Sequence, residues 1–168
     1  CFESPARIAV FAGQDTSVES EFAFRFAHDL PPREEGYGLD EVLAAVGTLF
    51  PAIEVVGCRF EGGFGGLGPE RLVADMVAHT AWVKGPEHGD WQGMDLKGHS
   101  VRLHRNGEAV AEGVGANALG DPLNVLVWTA NHLSRLGDGI MAGEVVSTGT
   151  CTCTGVTPAA PEDTFAAD

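Results

Sequence analysis

Residues 18–26, Val-Glu-Ser-Glu-Phe-Ala-Phe-Arg-Phe, constrain the fold more than any other stretch of this chain. Val18, Phe22, Phe24 and Phe26 share one parity, the period of a strand with one buried face. Glu19, Glu21, Ala23 and Arg25 take the opposite face. Two carboxylates at i and i+2 of a strand point the same way, with origins roughly 6–7 Å apart. At that spacing they repel unless water or a cation separates them. The pattern therefore fits a solvated outer face. The pattern alone favours that reading over the sharper alternative, a divalent-cation site, which carboxylate oxygens would suit for Mg²⁺, Mn²⁺ or Ca²⁺. Such a site needs a third ligand from elsewhere in the chain.

A length of 168 residues suits one domain with a real core, and 44% hydrophobic content suits a globular protein. The net charge of −14, with lysine only at Lys84 and Lys97, argues against nucleic acid and anionic membranes as partners. No apolar run approaches a membrane span and no signal peptide is visible. Cys1, Cys58, Cys151 and Cys153 are too few and scattered for a disulfide scaffold, so a reducing cytoplasm is the expected setting. Cys151-x-Cys153 lacks a second Cys or His pair and is weak as a zinc site. The chain opens at Cys1 without a methionine and stops at Asp168 within what reads as a strand. It is expected to be one domain over 1–168, incomplete at both ends.

Taken in order, Pro5–Phe11 reads as a short strand and Gly13–Thr16 as a turn into the glutamate strand. That strand ends at His28-Asp29, with His28 a surface residue, before a polar loop through Gly38. Leu39, Val42, Leu43, Val46, Leu49 and Phe50 recur at helical spacing, which predicts a helix ended by Pro51. The apolar strand 52–60 carries Glu54, a carboxylate that burial obliges to find a cation, a salt bridge or a proton. Arg59 is its nearest candidate partner, and Cys58 reads as core. A glycine-rich loop (61–68) lacks the phosphate-cradle pattern and precedes a helix from Pro69 to about Ala78. Thr80–Lys84 is expected as a strand, and Trp91 as a packing residue in the loop that follows. Asn106-Gly107 between 100–105 and 108–112 signals a type I′ hairpin. Asp121-Pro122 predicts a helix start, with Gly137 as its stop and Trp128 in the core. Strands are expected at Glu144–Cys151 and from Thr164 onward.

Several of these stretches together resemble the fumarylacetoacetate hydrolase superfamily, and most closely its 2-keto-4-pentenoate hydratase branch. They are Val18–Phe24, Pro51–Arg59, Val73-Ala74-Asp75, Arg105–Glu108, Leu119–Asn124 with Trp128, and Gly143–Thr150. Their order and spacing match along nearly the whole chain. The resemblance implies an α+β, β-rich fold: a mixed β-sandwich or roll of the superfamily's C-terminal type, with helices packed outside. It places a metal triad on Glu19, Glu21 and Glu54, with Mg²⁺ or Mn²⁺ as cofactor, and counts these with Asp75 as the catalytic set. It places substrate contacts on Thr148, Gly149 and Thr150. Met76 departs from the family's usual asparagine, and Glu162-Asp163 from its usual Gly-Asp. Family members also carry roughly 80 further N-terminal residues, including a lysine near the metal, and neither Lys84 nor Lys97 lies in a matching motif.

The activity so implied is metal-dependent hydration of a 2-hydroxy-2,4-dienoate in aromatic meta-cleavage catabolism, by a cytoplasmic homo-oligomer. A 4-oxalocrotonate-type decarboxylase and an acylpyruvate C–C hydrolase of the same superfamily are the alternatives within that chemistry. From a different class come a β-rich domain whose glutamates only face solvent, and a degenerate family member kept as a binding or assembly module. All the catalytic readings share a small 2-oxo or 2-hydroxydienoic acid as partner.

Overall fold

The computed structural model describes residues 1–11, 13–152 and 157–168. In chain order the elements are β1 (Phe2–Glu3), β2 (Thr16–Phe26), α1 (Leu39–Ala45), β3 (Val46–Gly57), α2 (Pro69–Ala74), β4 (His79–Lys84), β5 (Ser100–Arg105), β6 (Glu108–Val114), α3 (Pro122–Arg135), β7 (Val145–Thr150), β8 (Thr157–Pro158) and β9 (Phe165–Ala167). The fold is α+β and strand-rich. One sheet runs β1-β4-β3-β2-β7, with β8 also on β2, and a smaller sheet runs β6-β5-β9. No helix among the described residues is long and apolar enough to cross a membrane.

The phenylalanine face of β2 builds the core. Phe22, Phe24 and Phe26 pack with Val42 of α1, Leu126 and Ala130 of α3, and Trp91, Leu96 and Val101. Trp91 is buried and meets Phe24 edge-on at 5.3 Å, as its expected packing role requires. The other face is also covered, since Ala23 is fully buried and Glu21 is 5% exposed. The solvated-face reading therefore fails for Glu21.

That cover comes from curvature. Between β4 and β7 lie β3 and β2, so a flat sheet would hold the outer pair roughly 14 Å apart. Yet the Trp82 indole Nε1 on β4 donates to Ser147 Oγ on β7 at 3.2 Å. The sheet must curl concave on the glutamate side. A bulge helps: Glu21 pairs with Thr150 but Ala23 with Ser147, leaving one extra residue in β7. Gly149, at φ +87°, takes the left-handed conformation a bulge glycine supplies.

Four local expectations are corrected. Pro5–Phe11 forms no strand; its exposed apolar residues, Phe11 among them, find no sheet edge. The helix expected through Phe50 stops at Ala45, and Val46–Phe50 instead pairs with Phe26–Ala23. Cross-strand pairing outweighs the helical period, and a strand covered on both faces needs no alternation. Pro51 then lies inside β3. Leu49 exchanges hydrogen bonds with His88, and Pro51 O accepts from Gly85 N at 2.9 Å, so the proline nitrogen faces the ragged edge between β4 and His88. The helix from Pro69 ends at Ala74, because Met76, Val77 and Ala78 are all left-handed at φ 51°, 55° and 60°. Such a turn costs roughly 1–2 kcal/mol per residue, so its neighbours must hold it. Finally, Trp128 is 54% exposed and stacks on His132 at 4.6 Å. It stands two residues, about 200° of helical rotation, from Leu126, the side chain α3 buries.

Other signals hold. Asn106 and Gly107 both have positive φ, as a type I′ hairpin demands. Asp121 Oδ1 accepts from Leu123 N at 2.9 Å to cap α3. Gly115 sits where the chain passes under Leu96, and a Cβ there would run into the Leu96 carbonyl oxygen and lie 3.3 Å from the Phe22 ring. Gly115→Ala is expected to destabilise the fold by roughly 1–3 kcal/mol, by backbone displacement. An unchanged urea midpoint would show that this approach is not tight.

Candidate metal centre

Sheet register gathers the three glutamates. Glu19 and Glu54 are direct partners across the antiparallel β2–β3 pair, so their Cβ atoms lie about 4.5–5.5 Å apart. Glu21 stands two residues further on the same face. One ligand oxygen from each of the three lies within 4.8 Å of the other two. Bonds of about 2.0–2.1 Å in an octahedral Mg²⁺ shell put ligand oxygens about 3–4 Å apart, so only small side-chain adjustments separate this cluster from such a shell.

The electrostatics agree with that fit. Burial, then repulsion from Glu54 and Glu19, pushes the Glu21 carboxyl up to about 8, against a partial lowering by the Ser147 hydrogen bond. Burial and Glu54 also raise Glu19 above the usual carboxylate range. Among the described residues Glu21 has no cationic partner, and Ser147 Oγ donates to its Oε2. A buried carboxylate so placed takes a proton or a cation. The donor set is all oxygen, hard and anionic, and suits Mg²⁺ or Ca²⁺ rather than a soft metal.

Glu54 does not use Arg59. Its Oε1 lies 2.7 Å from Nδ1 of His79, at the start of β4. Arg59 turns instead to Asp75, with Nη1 donating to Oδ1 at 2.9 Å. The Asp75 carboxyl is held below its usual range by that guanidinium, and it is not among the gathered carboxylates. Thr148 is buried, and its hydroxyl donates to the Phe22 carbonyl at 2.9 Å. Thr150 faces Glu21 in register, with its hydroxyl 3.4 Å from that of Thr152. Lys84 pairs with Glu3 at 2.9 Å and Glu87 at 3.5 Å. Cys153 of the Cys-x-Cys pattern lies outside the described residues, and burial pushes the Cys151 thiol up to about 11.

Sequence reasoning did not assign His79, Ser147 or Trp82. Ser147 lies within the Gly143–Thr150 motif, but its contact depends on the β7 bulge. His79 joins Glu54 through a register shift between Val55 and Val56, which no local pattern signals. Ser147→Ala is expected to raise the ionisation midpoint of Glu21 further, because it removes the one contact that lowers it. The carboxyl ¹³C shift followed against pH measures this, and an unmoved or lower midpoint would contradict the contact.

A scan of protein-family models finds none that matches the chain. Over 132 residues the chain is 37% identical to the 2-keto-4-pentenoate hydratase of Paraburkholderia xenovorans (strain LB400), covering 79% of this chain and 48% of the relative. It also matches the solved structure of 4-oxalocrotonate decarboxylase from Pseudomonas putida G7, complexed with magnesium and adipate. That match has a TM-score of 0.80 and 30% identity, over 91% of this chain and 56% of that one. A fumarylacetoacetate hydrolase family protein from Yersinia pestis CO92 shares the fold at a TM-score of 0.66 and 16% identity, over 99% of this chain and 72% of that one. The chain spans about half the length of the curated relatives it matches.

Proposed function

Because the chain belongs to the fumarylacetoacetate hydrolase superfamily, on its 2-keto-4-pentenoate hydratase branch, we propose that it carries the Mg²⁺ or Mn²⁺ site of an enzyme that hydrates a 2-hydroxy-2,4-dienoate in aromatic catabolism. The observation that supports this most is the convergence of Glu19, Glu21 and Glu54 within 4.8 Å. Residues 1–168 act in this reading as one catalytic domain, in a cytoplasmic homo-oligomer.

Bound there, a divalent cation supplies Lewis acidity toward the carboxylate and keto oxygens of a 2-oxo acid. The residues of the chain do the rest. Glu19, Glu21 and Glu54 would hold the cation through one carboxylate oxygen each. Ser147 orients Glu21 by donating to Oε2, and Trp82 holds Ser147 in turn. Curvature of the sheet keeps bulk water from Glu21, which strengthens charge–charge interactions at the site. In this reading Gly149 and Thr150, beside Glu21 on the bulged strand, would meet a substrate carboxylate through backbone N–H or hydroxyl groups. With its hydroxyl committed to Phe22, Thr148 has only main-chain groups to offer.

A second reading, decarboxylation of a 4-oxalocrotonate-type acid, is supported by the 0.80 TM-score with such an enzyme. Both readings predict Mn²⁺-dependent binding of oxalate, a 2-oxo acid mimic, by calorimetry. Loss of dienoate absorbance with water incorporation supports the hydratase. Release of CO₂ from 4-oxalocrotonate supports the decarboxylase. Absence of metal-dependent oxalate binding would overturn both.

A further inference from the structure

We propose that Arg59 and Asp75 form a clamp that positions His79, and through it Glu54, for cation binding; the inference rests on the cation site described above. The left-handed turn Met76–Ala78 separates Asp75 from His79, and a single side chain fastens both of its ends. Arg59 Nη1 donates to Asp75 Oδ1 at 2.9 Å and to Asp75 O at 3.2 Å. Arg59 Nη2 donates to His79 O at 2.6 Å. The Arg59 backbone N–H completes the grip on Asp75 Oδ2 at 3.1 Å. The Asp75 side chain is 4% exposed, so this ion pair is shielded from water on its acidic side.

A turn of three left-handed non-glycine residues relaxes toward ordinary backbone unless its ends are pinned. His79 is the first residue after it. The imidazole reaches Glu54 Oε1 because the β3–β4 register shifts just there. Loss of the clamp frees the turn, withdraws His79 and leaves the Glu54 carboxylate without the contact that sets its rotation. Outer partners of this kind orient metal-binding carboxylates, and their loss typically weakens metal affinity roughly 10–100-fold. His79, Asp75 and Arg59 are thus positioning residues. The carboxylate of the Val73-Ala74-Asp75 motif acts here without touching the cation.

The test is Mn²⁺ affinity, read by calorimetry and by the electron paramagnetic resonance of bound Mn²⁺, on the full 168-residue chain. Asp75→Asn and His79→Ala should each weaken binding roughly 10–100-fold. Combined, they should lose less than about threefold beyond His79→Ala alone, because both act through one contact. Fully additive losses, or either single variant within about threefold of wild type, would overturn the clamp. Melting curves in chelator establish that each variant is folded. Should Asp75→Asn not fold, Arg59→Lys replaces it, since an ammonium cannot reach Asp75 and the His79 carbonyl together. Failure of the wild-type chain to bind Mn²⁺ would instead overturn the cation site itself, and the clamp with it.

Discussion

Between about pH 5 and about pH 9, the folded chain without divalent cations is expected to lose several kcal/mol of stability. Glu21 sets the sign. Its folded-state pKa of about 8 lies above the 4.5 of an exposed glutamate, so the folded state holds the proton more tightly. The stabilising proton is fully present below about pH 4.5 and is lost as pH rises through about 8. Glu19 shifts in the same direction. Each pKa unit corresponds to about 1.4 kcal/mol, which puts the total for a group this buried on the order of several kcal/mol. Carboxylates held low by partners, such as Asp75 beside Arg59, act oppositely but in a more acid range. Urea unfolding in chelator at pH 5, 7 and 9 measures the slope. Saturating Mg²⁺ should remove most of the fall, because a ligand at 100 times its Kd stabilises by about 2.7 kcal/mol. Stability that stays level or climbs with pH in chelator would mean that the three carboxylates are not gathered in solution.

Glu21→Gln should separate the two halves of that behaviour. Glutamine keeps the shape and the hydrogen-bonding capacity toward Ser147 but cannot ionise. At pH 5, where Glu21 is protonated, wild type and variant should unfold within about 1 kcal/mol of each other. At pH 9 the metal-free variant should be the more stable by several kcal/mol, since it never places a charge at a 5% exposed position. Mn²⁺ affinity should fall by more than about 100-fold, beyond what loss of an outer partner costs. The variant would thus be sturdier without metal and unable to use it. A variant that binds Mn²⁺ like wild type would remove Glu21 from the ligand set. One that is less stable than wild type at pH 9 would contradict its burial as a destabilised carboxylate.

The period-2 pattern at 18–26 was enough to place a strand with Phe22, Phe24 and Phe26 inward, because alternation is a property of the backbone itself. The same parity put Glu19 and Glu21 side by side. Asn106-Gly107 and Asp121-Pro122 were equally legible, since hairpin and cap chemistry are satisfied within a few residues. Glu54 as third member came from motif resemblance, and only the β2–β3 register, with Glu54 directly opposite Glu19, brings it to the site. The length of β3 was not readable locally. Val46–Phe50 carries a helical period, and pairing with β2 overrides it through contacts twenty or more residues away in sequence. Trp128 stands outside the core for a related reason: hydrophobicity allows a tryptophan to be buried, but the azimuth of α3 decides whether it is. Curvature of the sheet, which buries Glu21 and joins Trp82 to Ser147, arises from strands that are distant in the chain. The partner of Glu54 changed from Arg59 to His79 because a one-residue register shift at Val55–Val56 aims the imidazole inward. Local residue chemistry thus determined the acidic strand, the turns and the caps, while register, bulge and curl, which depend on which strands meet, decided what surrounds the three carboxylates.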